Sequence, residues 1–246
     1  MLEYQKIFDT FDLKEFEDSV FSGKEHGWNA AYECCDRWVN SNKIALNWIS
    51  SKSEFEKLSY RDLEVKSKQF ANMLIQKGIK NGDVVAGLLP RIPELLVVIV
   101  GTWRIGAVYQ PLFTAFGPKA IETRVSKKTG SNAKIILTDS INKSKLDDLP
   151  NCPLIIEIDR SKDSEENFNK KLIKQKTDLK TVSLTRIDPF TTLFTSGTTG
   201  NPKGVVYPNE MLTAIAAYMI YGIGLRKTDS YWCMADPGWA YGLLYT

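Results

Sequence analysis

Between Phe194 and Gly204 the chain reads FTSGTTGNPKG, and these eleven residues hold three glycines, four hydroxyl side chains and one lysine. An apolar run, Pro189 to Phe194, leads into them. This composition is that of a strand opening into a loop that cradles phosphate. Glycines let backbone N–H groups approach an anion closely. The hydroxyls of Thr195, Ser196, Thr198 and Thr199 donate further hydrogen bonds, and Lys203 adds a point charge suited to phosphate. The loop is not of the GxxxxGK[ST] kind, because Gly197 and Gly200 stand too close together and Gly204 follows Lys203. Read from composition alone, the same residues also fit a solvated hairpin turn.

The elements that position this loop read as alternating helices and strands. Residues 1–40 are expected to be mainly helical, with Ala31, Cys35 and Trp38 on one face of a helix over Trp28–Val39. A short strand is predicted over Lys43–Ile49. Ser59 and Asp62 form a capping-box pattern that opens a helix with a buried stripe of Leu63, Phe70 and Leu74, ending at Gly78. Val84–Leu89 is a continuous apolar run, as a strand buried on both faces requires. Pro93 starts a helix to about Ile105. Further strands are predicted over Ala107–Pro111, Lys134–Thr138 and Leu154–Ile158, with helices over Pro118–Lys128 and Asn142–Asp147. After the loop come a strand over Gly204–Tyr207, a helix over Asn209–Tyr221, a strand over Tyr231–Ala235 and a final partial helix. The alternation predicts an α/β fold, a mostly parallel sheet covered by helices on both faces.

Composition narrows the function classes. The 246 residues are 43% hydrophobic and 25% charged, ordinary globular material. A net charge of +3 is too small to argue for a nucleic-acid partner. The charged stretch Arg160–Lys180 mixes signs and reads as a solvated surface helix with loops. No apolar run reaches the ~20 residues of a membrane span, and the acidic N-terminus lacks a signal-peptide layout. Four cysteines without a CxxC pair read as reduced core thiols of a cytoplasmic protein. His26 is the sole histidine, which gives a Ser/His relay or a multi-histidine metal site little support.

The loop string resembles the phosphate-loop motif of the adenylate-forming superfamily, and other segments agree in order. Gly82–Pro90 (GDVVAGLLP), Arg104–Pro118 (RIGAVYQPLFTAFGP) and Ala235–Gly242 (ADPGWAYG) resemble segments of acetyl-CoA synthetase-like acyl-CoA synthetases. The resemblance runs from Trp28 to Thr246. It implies a reaction in two halves: a short- or medium-chain carboxylic acid, acetate-like in the first place, attacks the α-phosphorus of ATP and releases pyrophosphate, and the CoA thiol then displaces AMP from the acyl-adenylate. It assigns Thr195, Ser196, Gly197, Thr198, Thr199, Gly200, Asn201, Pro202 and Lys203 to the ATP phosphates, with Lys203 offsetting charge as the reaction proceeds. Mg2+ is implied on the triphosphate, its protein ligand lying downstream. Trp239, Ala240 and Tyr241 match positions that line the acyl pocket. Acetate-specific members usually carry valine and threonine where Ala240 and Tyr241 stand, which puts acetate itself in doubt. Phe113, Thr114 and Ala115 match a loop beside CoA, although relatives carry Gly-Gly at the last two positions. Lys143 falls near a CoA-phosphate arginine, and Lys145 stands close by.

The resemblance also implies an adenine motif, a ribose-binding aspartate, a hinge and a small C-terminal domain, none of which lies in residues 1–246. The chain is therefore expected to be the N-terminal part of the AMP-binding large domain, inactive by itself. Two further readings stay open at this point. One is a binding-only product that holds nucleotide or a partner chain. The other is an adenylating enzyme whose acceptor is a carrier-protein thiol.

Overall fold

The computed structural model describes residues 4–22, 27–161, 163–195 and 200–245. His26 and the loop residues Ser196, Gly197, Thr198 and Thr199 lie outside them. Helices α1 (Tyr4–Thr10), α2 (Leu13–Val20) and α3 (Ala30–Cys34) precede a 3-10 turn, Asp36–Ser41. The expected helix over Trp28–Val39 is thus shorter. Ala31 and Cys35 are buried as predicted, but the tighter turn begins at Asp36, and Trp38 is half-buried.

Strands β1 (Ile44–Ile49) and β2 (Phe55–Ser59) form an antiparallel hairpin apart from the main sheet. β2 was not anticipated, because FEKLS has too few apolar residues to show alternation; its pairing with β1 makes it a strand. Ser59 then caps α4 (Tyr60–Gln76): its hydroxyl accepts from the Asp62 amide, and the Asp62 carboxylate accepts from the Ser59 amide at 2.9 Å. The Ser59 hydroxyl, which donates to the same carboxylate at 2.6 Å, and then the Ser59 amide hold the Asp62 carboxyl below its ordinary pKa. Gly78, at φ +82°, ends the turn in a conformation other residues adopt at a cost.

The main sheet has six strands in the order β6-β5-β3-β4-β7-β8. Its members are β3 (Val84–Leu88), β4 (Val108–Pro111), β5 (Ile135–Thr138), β6 (Leu154–Glu157), β7 (Pro189–Thr195) and β8 (Lys203–Pro208). All neighbours run parallel except β7 and β8. Strand side chains alternate between two cores. Val85, Ile135 and Leu137 pack with α4 and with α5 (Glu94–Arg104) on one face. Ala86, Leu88 and Ile136 pack on the other with Ile121 and Val125 of α6 (Pro118–Val125). The predicted cover on both faces is present.

Helix α6 stops at Val125, before the expected Lys128. Residues 130–133 fold back on its end, where the Ser131 and Ala133 amides donate to the Arg124 and Val125 carbonyls. The turn expected as a helix over Asn142–Asp147 is a 3-10 turn, Lys143–Leu146. In the charged stretch, α7 (Phe168–Ile173) buries Phe168 and Leu172, so this surface helix carries an anchored face. After β8, α8 (Met211–Ala217) passes into a π-helical turn, Tyr218–Gly222. Tyr231–Ala235 is not a strand. Its exposure alternates, with Trp232 and Met234 outward, but among the described residues no strand pairs with it. The last helix is α9 (Ala240–Leu244).

One buried cation ties distant parts together. The fully buried Arg104 guanidinium donates to both Asp36 carboxylate oxygens, at 2.8 and 2.5 Å, and to Thr181 and Ser67. All four cysteines are free, but Cys35 alone sits in the core; Cys34 is exposed, and Cys152 and Cys233 are intermediate.

Candidate functional site

Parallel strands bring their carboxyl ends to one edge of the sheet. Helix α5 leaves β3 along one face and α6 leaves β4 along the other, so the connections diverge between these two neighbours. A divergence of this kind opens a crevice at the carboxyl edge, where α/β sheets hold ligands. The loop after β4 holds Phe113, Thr114 and Ala115; the loop after β5 holds Lys143; the loop after β7 runs from Thr195 to Lys203. Since β4 lies beside β7 and runs parallel to it, the Phe113 loop and Thr195, the end of β7, leave the same edge of the sheet.

The hairpin of β7 and β8 sets the geometry around the glycine loop. Thr195 pairs with Lys203 across the ladder, so the two side chains leave from the same face. Both are exposed. Phe194 lies under Gly204, where a Cβ would sit 3.2 Å from its ring. Gly200 has φ +87°, a turn position that favours glycine, and Asn201 and Pro202 complete the return. The ladder of β7 and β8 thus closes at the Thr195–Lys203 pair, which brings both ends of the glycine loop together at the carboxyl end of β7.

The acyl-segment candidates come to this edge through an aromatic trio. Trp239 lies 5.5 Å from Phe113 and 5.9 Å from Phe116, and these two rings lie 5.6 Å apart. Gly238 makes the approach possible, since a Cβ there would fall 2.4 Å from the Phe113 Cα. Asp236 fixes the turn by accepting from the Gly238 amide at 2.8 Å. Trp239, Ala240 and Tyr241 do not form one wall. Trp239 is the extended residue before α9, whereas Tyr241, inside the helix, packs on Tyr218 and Tyr245, the latter at 4.8 Å.

The lysines divide differently from the sequence reading. Lys143 is half-exposed and donates to Glu157 at 2.7 Å, which raises its pKa. Lys145 holds the loop itself, donating to the Thr114 carbonyl and to Asn142. Ala115 is exposed. Phe116 and Arg124 were not singled out in the sequence; the Arg124 guanidinium carbon lies 4.2 Å from the Phe116 ring centroid. A helical arginine eight positions after an aromatic gives no spacing signal. Among the described residues no group of three acidic, histidine or cysteine side chains could hold a metal ion.

Comparison with known proteins gives a consistent picture. Residues 35–246 match the AMP-binding enzyme family. The acetyl-coenzyme A synthetase of Bacillus subtilis is 32% identical over 98% of this chain and 43% of its own length. That of Escherichia coli is 29% identical over 98% of this chain and 40% of its own. A crystal structure of the Brucella canis acyl-CoA synthetase matches with a TM-score of 0.90 and 43% identity, over 100% of this chain and 45% of that one. The chain thus spans less than half the length of each of these relatives.

Proposed function

Because the chain belongs to the AMP-binding enzyme family, we propose that it forms the first part of an adenylate-forming acid–CoA ligase. In this reading it corresponds to the N-terminal part of the large domain. The observation that carries the proposal is that the Trp239 turn packs on the Phe113 loop after β4, beside β7, whose carboxyl end carries the glycine loop on the same edge of the sheet.

Each segment then has a chemical task. Residues Thr195 to Lys203 hold the β- and γ-phosphates of ATP. The hydroxyls and loop amides donate, and the exposed Lys203 ammonium offsets the charge that grows on the leaving pyrophosphate. An oxygen of the substrate carboxylate forms the bond to the α-phosphorus as the bond to pyrophosphate breaks. The donor set suits a polyphosphate, with glycines, hydroxyls and one cation; Mg2+ would arrive on the triphosphate. Trp239 and Ala240 border the acyl group, a short- or medium-chain acid. Phe113, Thr114 and Ala115 border CoA, whose sulfur bonds the acyl carbon as the bond to AMP breaks. Lys143 reaches a CoA phosphate after leaving Glu157. Positioning and charge stabilisation supply the catalysis.

The test is ATP–pyrophosphate exchange, dependent on added short acids, by the full product of the reading frame that carries this chain. Exchange followed by acyl-CoA formation is expected. Acyl transfer to a carrier-protein thiol in preference to CoA would replace the acceptor, and nucleotide binding without exchange would leave a binding role.

A further inference from the structure

Arg124 stands at the last turn of α6, and helical side chains lean toward the N-terminus of their helix. That lean carries its guanidinium to the Phe116 ring, just ahead of the helix start. Its Nη1 donates to the Ala120 carbonyl at 2.8 Å, and its Nε is buried without a hydrogen-bond partner. The backbone beneath it is fixed: the Arg124 carbonyl accepts from Ser131 and from the Gln110 side chain, and Gly130 lies directly against it. Phe116 meets Phe113 and Trp239 nearly edge to face, at interplanar angles of 85° and 76°. Both contacts depend on the orientation of the one ring against which the cation lies.

We propose that Arg124 and Phe116 are positioning residues: the guanidinium fixes the Phe116 ring, and the ring seats Trp239 against the Phe113 loop. This rests on the acid-activation reading. It adds that the acyl-side and CoA-side segments are held in register by a cation–π contact outside the substrate path. A half-buried guanidinium on an aromatic face gains electrostatic attraction that an apolar side chain of equal length does not. Arg124→Met therefore frees the ring while keeping much of the packing, and Arg124→Lys keeps the charge.

The experiment uses the full reading-frame product labelled with 5-fluorotryptophan, with the Trp239 resonance assigned through Trp239→Phe. In Arg124→Met that resonance is expected to shift or broaden while the other tryptophans stay, and Arg124→Lys should restore part of it. The KM for the acid and for CoA should rise about fivefold, with kcat within about twofold. Should Arg124→Met fail to fold, Phe116→Leu reports on the same contact. An unmoved Trp239 resonance in the folded variants overturns the inference. So does a shift spread over all tryptophans, or a kcat loss with both KM values unchanged. Absence of turnover by the wild-type product sinks the acid-activation reading instead, and the fluorine spectra still decide how Trp239 is held.

Discussion

Gly238→Ala tests the junction of the site most directly. The added Cβ would meet the Phe113 backbone at 2.4 Å to Cα and 2.7 Å to N. Ordinary carbon contacts begin near 3.5 Å, so the turn must retreat by about 1 Å. The obstacle is main chain, which no rotamer change removes. Gly238 is not among the glycines at positive φ, so the steric effect is isolated from backbone strain. Overpacking of this kind costs about 1–3 kcal/mol, and the smaller entropic gain of Gly→Ala, about 0.4–1 kcal/mol, offsets part of it. Trp239 moves with its neighbour and loosens two aromatic contacts. A net loss of about 1–3 kcal/mol in urea unfolding is expected. A misplacement near 1 Å can cost up to about a hundredfold in rate, so the specificity constant for the acid should fall at least about tenfold. In a Trp239→Ala background the added loss should shrink, because the aromatic contacts are already gone. Unchanged stability together with unchanged kinetics would refute the account of this junction.

The other expectations concern single groups. Lys203→Ala should lower pyrophosphate exchange by about a hundredfold; near wild-type exchange removes the phosphate-loop assignment. Asp36→Asn strips a fully buried guanidinium of its charge partner and should cost about 3–5 kcal/mol by urea unfolding, and a loss below about 1 kcal/mol would show that Arg104 is satisfied otherwise. Burial pushes the Cys35 thiol up from 9.0 to about 12. The folded state therefore holds that proton more tightly, and this contribution is full below pH 9 and is lost as pH rises from there toward 12. Cys35→Ala should flatten the fall in stability between pH 8 and 10 by roughly 1 kcal/mol; an unchanged slope rejects it. Glu157→Gln should release Lys143 and lower the KM for CoA, and no change would count against a CoA role for that lysine.

Much of the fold was legible because its signals are local. The Ser59–Asp62 box, the terminating Gly78 and the apolar runs of β3 and β5 each carry their cause within a few residues. The failures share a different cause. β2 exists through its partner β1, and Tyr231–Ala235 has the alternation of a strand but, among the described residues, no neighbour to pair with. Strand identity is a property of pairs, and a single segment cannot announce it. The same holds at the site. Phe113 and Trp239 were readable by resemblance, but Phe116, Arg124 and the hold of Lys145 on Thr114 emerge from packing between segments.

The order of the strands also has a kinetic consequence. β3, α5 and β4 are contiguous and need little loop closure to assemble. The site needs more, because Tyr109 of β4 must find Thr191 of β7, and Phe113 must find Trp239. Contacts of long sequence separation pay their closure entropy late in folding. The crevice should therefore form after the doubly wound half is in place. A nucleotide bound there would stabilise contacts missing from the transition state, and so would slow unfolding far more than it speeds folding.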